Sequence, residues 1–132
     1  MSFKSFLAGY TDCALWCGVV AIDEDGNSTE SQQWDEGDLV PDTLETFKAE
    51  CRYFYDVNKD DIEKGSHKRK GFPRQEPWSP AGHDFWLTRN RHGAGFWDGD
   101  YIEPYAARLT EAAHVYGSAD LYEGDDGMLY QQ

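Results

Sequence analysis

The segment 82–98, GHDFWLTRNRHGAGFWD, concentrates the residues best able to do chemistry: His83, Asp84, Arg89, Asn90, His92 and Asp98. An imidazole beside a carboxylate, or two carboxylates facing each other, can perform general acid–base work within hydrogen-bond reach. Spacing decides whether they meet. Residues 84–89 suit a strand and residues 94–97 its antiparallel partner, with Asn90, Arg91, His92 and Gly93 as the turn. Alternate side chains of a strand share a face, so His83, Phe85 and Leu87 lie opposite Asp84, Trp86 and Thr88. His83 and Asp84 then point apart. Asp84 and Asp98 can approach across the hairpin, but acids at strand ends more commonly cap turns or pair with an arginine, here Arg89. With apolar groups on both faces, the hairpin is expected to be a core element. A small hydrolase centred on it ranks third among the functions considered, and no residue is assigned as catalytic.

Metal and cofactor chemistry finds less support. His67, His83, His92 and His114 lack the spacing of a ligand pair, and no cysteine adjoins a histidine. The DEDGN at 23–27 resembles the opening of a calcium loop, but Trp34 stands where the loop's closing glutamate belongs. No glycine loop precedes a helix to cradle a phosphate, and no serine-centred nucleophile motif occurs. No metal and no cofactor are expected. The thiols Cys13, Cys17 and Cys51 are odd in number and irregularly spaced, unlike a secreted disulfide framework. Cys13 and Cys17, four apart on an expected helix, are read as buried structural thiols.

Charge is the stronger functional signal. Twenty-five acidic residues against twelve basic ones leave a net charge of −13, which repels nucleic acid and suits a partner with a basic surface. The acids gather in a loop at 23–38, through Asp23, Glu24, Asp25, Glu30, Asp35, Glu36 and Asp38, and in a terminal turn through Asp125 and Asp126. Carboxylates so displayed can imitate duplex phosphates, and charge complementarity makes such association fast and salt-sensitive. The opposite sign is confined to a proline-rich loop at 66–80, with Lys68, Arg69, Lys70 and Arg74 near Phe72 and Trp78. That mixture grips single-stranded nucleic acid, so nucleic-acid binding through this loop is the second function considered.

The elements that must position these groups follow from periodicity. Phe6, Leu7, Tyr10, Cys13, Ala14 and Cys17 predict a helix over 5–17 that stops at Gly18. Pro41 and Asp42 open a second helix, whose stripe Leu44, Phe47, Cys51, Phe54 and Tyr55 runs on to residues 61–63. A third is expected over 103–116, with Ala106, Leu109, Ala113 and Tyr116 on one face and Gly117 as its stop. A second hairpin turns at 124–127, GDDG. The expected fold is α+β: about four antiparallel strands in two hairpins on about three helices, forming one domain over 1–132. Aromatic residues make up 15% of the chain and aliphatic ones are few, so the core should be built on rings. Trp34 is expected to pin the acidic loop to the body. The N-terminus lacks the apolar run of a signal peptide, and no run of apolar residues is long enough to span a bilayer. No membrane association is expected.

GHDFWLTRNRHGAGFWD, followed by a helix and then DLYEGDDGMLY, resembles a family of small proteins encoded by bacteriophages and mobile elements. The YTDCALW helix and the acidic stretch agree, so the resemblance covers nearly the whole chain and is strongest in its last fifty residues. Two departures stand out. Arg91 replaces a glycine at the turn, and the basic stretch at 66–80 is longer than usual. The resemblance implies a setting, the cytoplasm of a phage-infected bacterium, rather than a reaction. The first expectation is therefore a non-enzymatic phage accessory protein that binds a host protein through acidic surface, blocking a defence or nucleic-acid-handling system.

Overall fold

The computed structural model describes residues 2–17, 19–20, 34–66, 77–91, 94–97 and 101–131. Among the described residues four α-helices dominate: α1 (Ser2–Cys17), α2 (Pro41–Gly65), α3 (Trp78–Arg89) and α4 (Tyr105–His114). A small sheet completes the fold, with strands β1 (Val19–Val20), β2 (Leu121–Glu123) and β3 (Leu129–Gln131) in that spatial order. β2 and β3 form the antiparallel hairpin expected around the GDDG turn, and β1 adds to β2 in parallel.

The α+β expectation is therefore corrected. There are not four strands in two hairpins on three helices, because the hairpin expected at 82–98 is absent. Residues 78–89 are the helix α3, and residues 94–97 form a bend and turn. The cause lies in burial. α3 hides Ala81, Gly82, Asp84, Phe85, Trp86, Thr88 and Arg89, so it has no single apolar stripe to reveal its period. Its aromatic and β-branched residues suit a strand equally well. Pro80 sits in the first helical turn, where a missing N–H costs nothing. Of the basic loop expected at 66–80, Trp78, Ser79 and Pro80 belong to α3 instead, and residues 67–76 lie outside the described residues.

α3 packs most extensively on α1, backbone to backbone. A Cβ on Gly9 would strike the Ser79 carbonyl, and one on Gly82 would strike the Phe6 carbonyl. The two helices meet at glycines because nothing larger fits between them. Around this crossing lies a core of rings, as composition implied. Phe54 stacks on Phe85 with centroids 4.0 Å apart, Tyr10 meets Trp86 edge-on at 5.3 Å, and Phe96 closes over Phe54 at 5.9 Å. Burying each such ring contributes about 1.5–3 kcal/mol.

The other three helices fall near their expected places. α1 begins three residues earlier than periodicity suggested, at Ser2. α2 has Pro41 at its first position and buries Phe47, Cys51, Phe54 and Ile62. Leu44 and Tyr55 pack at the margin of the core, as does Trp34. α4 is two residues shorter at each end than expected, with Pro104 as its N-cap, and it buries Ala106, Leu109 and Ala113. Gly117 follows with φ +72°, the left-handed conformation that suits a helix stop. No helix among the described residues is long and apolar enough to cross a membrane.

Candidate functional site

With α3 helical, the polar residues expected in a hairpin take structural work. Arg89 is 3% exposed and ties three elements together. Its guanidinium donates to the Gly117 carbonyl at 2.9 Å, the Tyr116 carbonyl at 3.1 Å, the Tyr10 hydroxyl at 3.0 Å and Glu50 Oε1 at 3.0 Å. Burial opposes its charge, but Tyr10 and Glu50 outweigh that and raise its pKa. Among the described residues its ion-pair partner is Glu50 on α2. Asn90 donates to the Trp86 carbonyl and accepts from the Ala119 N–H at 2.8 Å, fixing the chain that leads into β2. Thr88 accepts the Phe96 N–H at 3.0 Å. Gly95, at φ +154°, lies so close that a Cβ would strike the Thr88 hydroxyl.

His83 and Asp84 do not form an acid–base pair either. Asp84 is buried, whereas His83 is half-buried with its pKa lowered by burial, an effect that nearby Asp12 opposes. His92 and Asp98 lie outside the described residues. So do Lys68, Arg69, Lys70 and Arg74, on which nucleic-acid binding would depend, and Asp23, Glu24, Asp25 and Glu30 of the acidic loop. Among the described residues, no group of three or more histidines, cysteines and acids is placed to hold a metal.

The remaining acidic residues lie on two segments that one bridge aligns. Leu39 makes an isolated parallel bridge to Leu129, and the Val40 N–H donates to the Leu129 carbonyl at 3.1 Å. Because the bridge is parallel, the residues leading into Leu39 and those leading into Leu129 arrive from the same end. The first group is a 3-10 turn (Glu36–Asp38) capped by Asp35, and the second is the β2–β3 turn with Asp125 and Asp126. Two acidic segments some ninety residues apart thus share one end of the sheet. Asp35 accepts the Gly37 N–H at 2.8 Å while Asp38 accepts the Asp35 N–H at 2.9 Å, a reciprocal cap that holds the turn rigid. Asp126 accepts from the Met128 N–H at 2.9 Å and from the Tyr130 hydroxyl. The Tyr130 bond, then the backbone bond, lowers its pKa and keeps it ionised. Glu36, Glu123 and Asp125 are exposed beside them. No lysine or arginine occurs within residues 5–47 or 109–132, and apart from Lys4 every one lies between Lys48 and Arg108.

The thiols divide into two kinds. Cys51 is buried, as expected, and burial raises its pKa well above the ordinary range. Cys13 is buried too, but Cys17 is exposed at the end of α1, which corrects the expectation that both were buried. Their sulfurs stand 3.7 Å apart. Helical spacing could place both on one face, but not that the helix would end between buried and open surface there.

Comparison with family models, with curated proteins and with solved structures found no match. The resemblance to phage and mobile-element proteins therefore rests on the quoted motifs alone.

Proposed function

We propose that this protein is a non-enzymatic accessory protein that binds a partner protein with a basic surface through its acidic end. The observation that carries this reading is the Leu39–Leu129 bridge, which sets Asp35, Glu36 and Asp38 at the same end of the sheet as Asp125 and Asp126. Those carboxylates sit on capped, hydrogen-bonded turns, so little side-chain and loop entropy is lost when a partner docks. No lysine or arginine adjoins either turn in sequence, so the turns themselves carry no opposing charge. Following the family resemblance, the partner is a host protein in a bacterial cytoplasm. In this reading the carboxylates of the acidic end stand in for nucleic-acid phosphates at a defence or nucleic-acid-handling protein.

Capture from bacterial lysate tests the reading. A partner should be retained at low salt and released near 1 M, where the screening length falls to about 3 Å. The combined variant Asp35→Asn, Glu36→Gln, Asp125→Asn and Asp126→Asn keeps the hydrogen-bond acceptors of the turns. It should bind about tenfold more weakly, given 0.2–1 kcal/mol for each exposed charge pair. Retention indifferent to salt and to the variant would overturn the proposal.

A further inference from the structure

We infer that Cys13 and Cys17 form a dithiol switch that a low-molecular-weight disulfide, such as oxidised glutathione, converts reversibly to an internal disulfide. Cys17 is the exposed last residue of α1, whereas Cys13, one turn earlier, is 1% exposed. Only one of the two sulfurs can meet a solute, and the other stands behind it at 3.7 Å. This is the placement required of an attacking thiol and a resolving thiol.

The surroundings favour the thiolate at the outer position. Either sulfur can donate across the 3.7 Å between them, and as a thiol Cys17 donates to the Cys13 carbonyl at 3.0 Å. The contact with Cys13 is the largest influence lowering the Cys17 pKa; burial opposes it, and the Trp86 indole N–H adds to it. The Cys17 pKa is lowered to about 7, which favours its thiolate relative to an ordinary thiol. A Cys17 thiolate would draw on the indole N–H of wholly buried Trp86, which makes no regular hydrogen bond among the described residues. Cys13 is held protonated, first by its bond to Cys17 and then by burial and Asp84.

The exchange runs in two steps. The Cys17 thiolate attacks one sulfur of the small disulfide, forming a mixed disulfide and expelling the other half as a thiolate. With Cys17 no longer charged, the principal hold on the Cys13 proton is gone. Cys13 gives that proton to solvent or to the departed thiolate and attacks the Cys17 sulfur. The second half leaves, so two protein thiols become one disulfide and the small disulfide becomes two thiols. On a regular helix, Cα atoms four residues apart are about 6 Å from each other, inside the range a disulfide tolerates. Their Cβ atoms are about 5–6 Å apart, farther than the ~4 Å of a relaxed bridge, so the final turn must tighten. Because Cys17 is the last helical residue, only that turn is disturbed.

The test exposes the full-length protein to oxidised glutathione, blocks the remaining thiols and maps the peptides by mass. The wild type should yield a Cys13–Cys17 disulfide with Cys51 still alkylated. Cys13→Ser should stop at a glutathione adduct on Cys17, and Cys17→Ser should give neither product. Since Cys13→Ser alters the core, the alkylation rate of wild-type Cys17 is measured against pH as well and should have its midpoint near pH 7. A stable adduct on wild-type Cys17 with Cys13 still alkylatable would overturn the internal step. A midpoint at the ordinary thiol value of about 8.5 would overturn the activation of Cys17.

Discussion

At the scale of the residue, Arg89 shows how a charged side chain becomes part of the core. Its four hydrogen bonds reach α1, α2 and the end of α4, satisfying two backbone carbonyls that follow a helix. Replacing it by methionine leaves the Tyr10 hydroxyl and Glu50 without their donor, which should cost about 3 kcal/mol in urea denaturation. Tyr10→Phe removes only one bond of that set and should cost about 1 kcal/mol. A cost for Arg89→Met no larger than for Tyr10→Phe would show that the network is not cooperative. His83 gives a pH dependence. Burial lowers its folded pKa, so below the ordinary value of about 6.5 the unfolded chain binds more protons than the native one. Stability should therefore fall as pH drops through 6.5 and level off below the lowered value. Thermal melts from pH 7.5 to pH 5 should show that His83→Gln removes part of this loss.

At the scale of the element, helices α1, α2 and α4 and the β2–β3 hairpin were legible in the sequence, because each has one buried face and a recognisable stop. α3 was not. A central helix shows no period when residues all around it are buried, and Phe85, Trp86 and Thr88 are as much at home in a strand. The useful signals were Pro80, placed as in a first helical turn, and Gly82, whose reason is the Phe6 carbonyl pressed against it. The glycine gives a direct check. Gly82→Ala forces the crossing of α1 and α3 apart and should cost about 3 kcal/mol, at the upper end for overpacking, although alanine favours helices. In an exposed helix the same change would stabilise by up to about 1 kcal/mol. Equilibrium denaturation decides the sign.

At the scale of the whole molecule, composition foretold the ring-built core, since Phe6, Tyr10, Phe47, Phe54, Phe85, Trp86 and Phe96 are all wholly buried. The acidic excess was equally plain, but its arrangement was not. Nothing in the spacing of residues 35–38 and 125–126 reveals that a parallel bridge at Leu39 and Leu129 brings them to one end. That convergence turns a diffuse charge into a directed surface, and the proposed function depends on it. The most direct measurement is zero-length coupling of carboxylates to partner amines in the captured complex, followed by peptide mapping. Cross-links to lysines of the partner should fall on Glu36, Glu123, Asp125 and Asp126. Cross-links confined to acids elsewhere, such as Asp60, Glu63 or Glu111, would contradict the account.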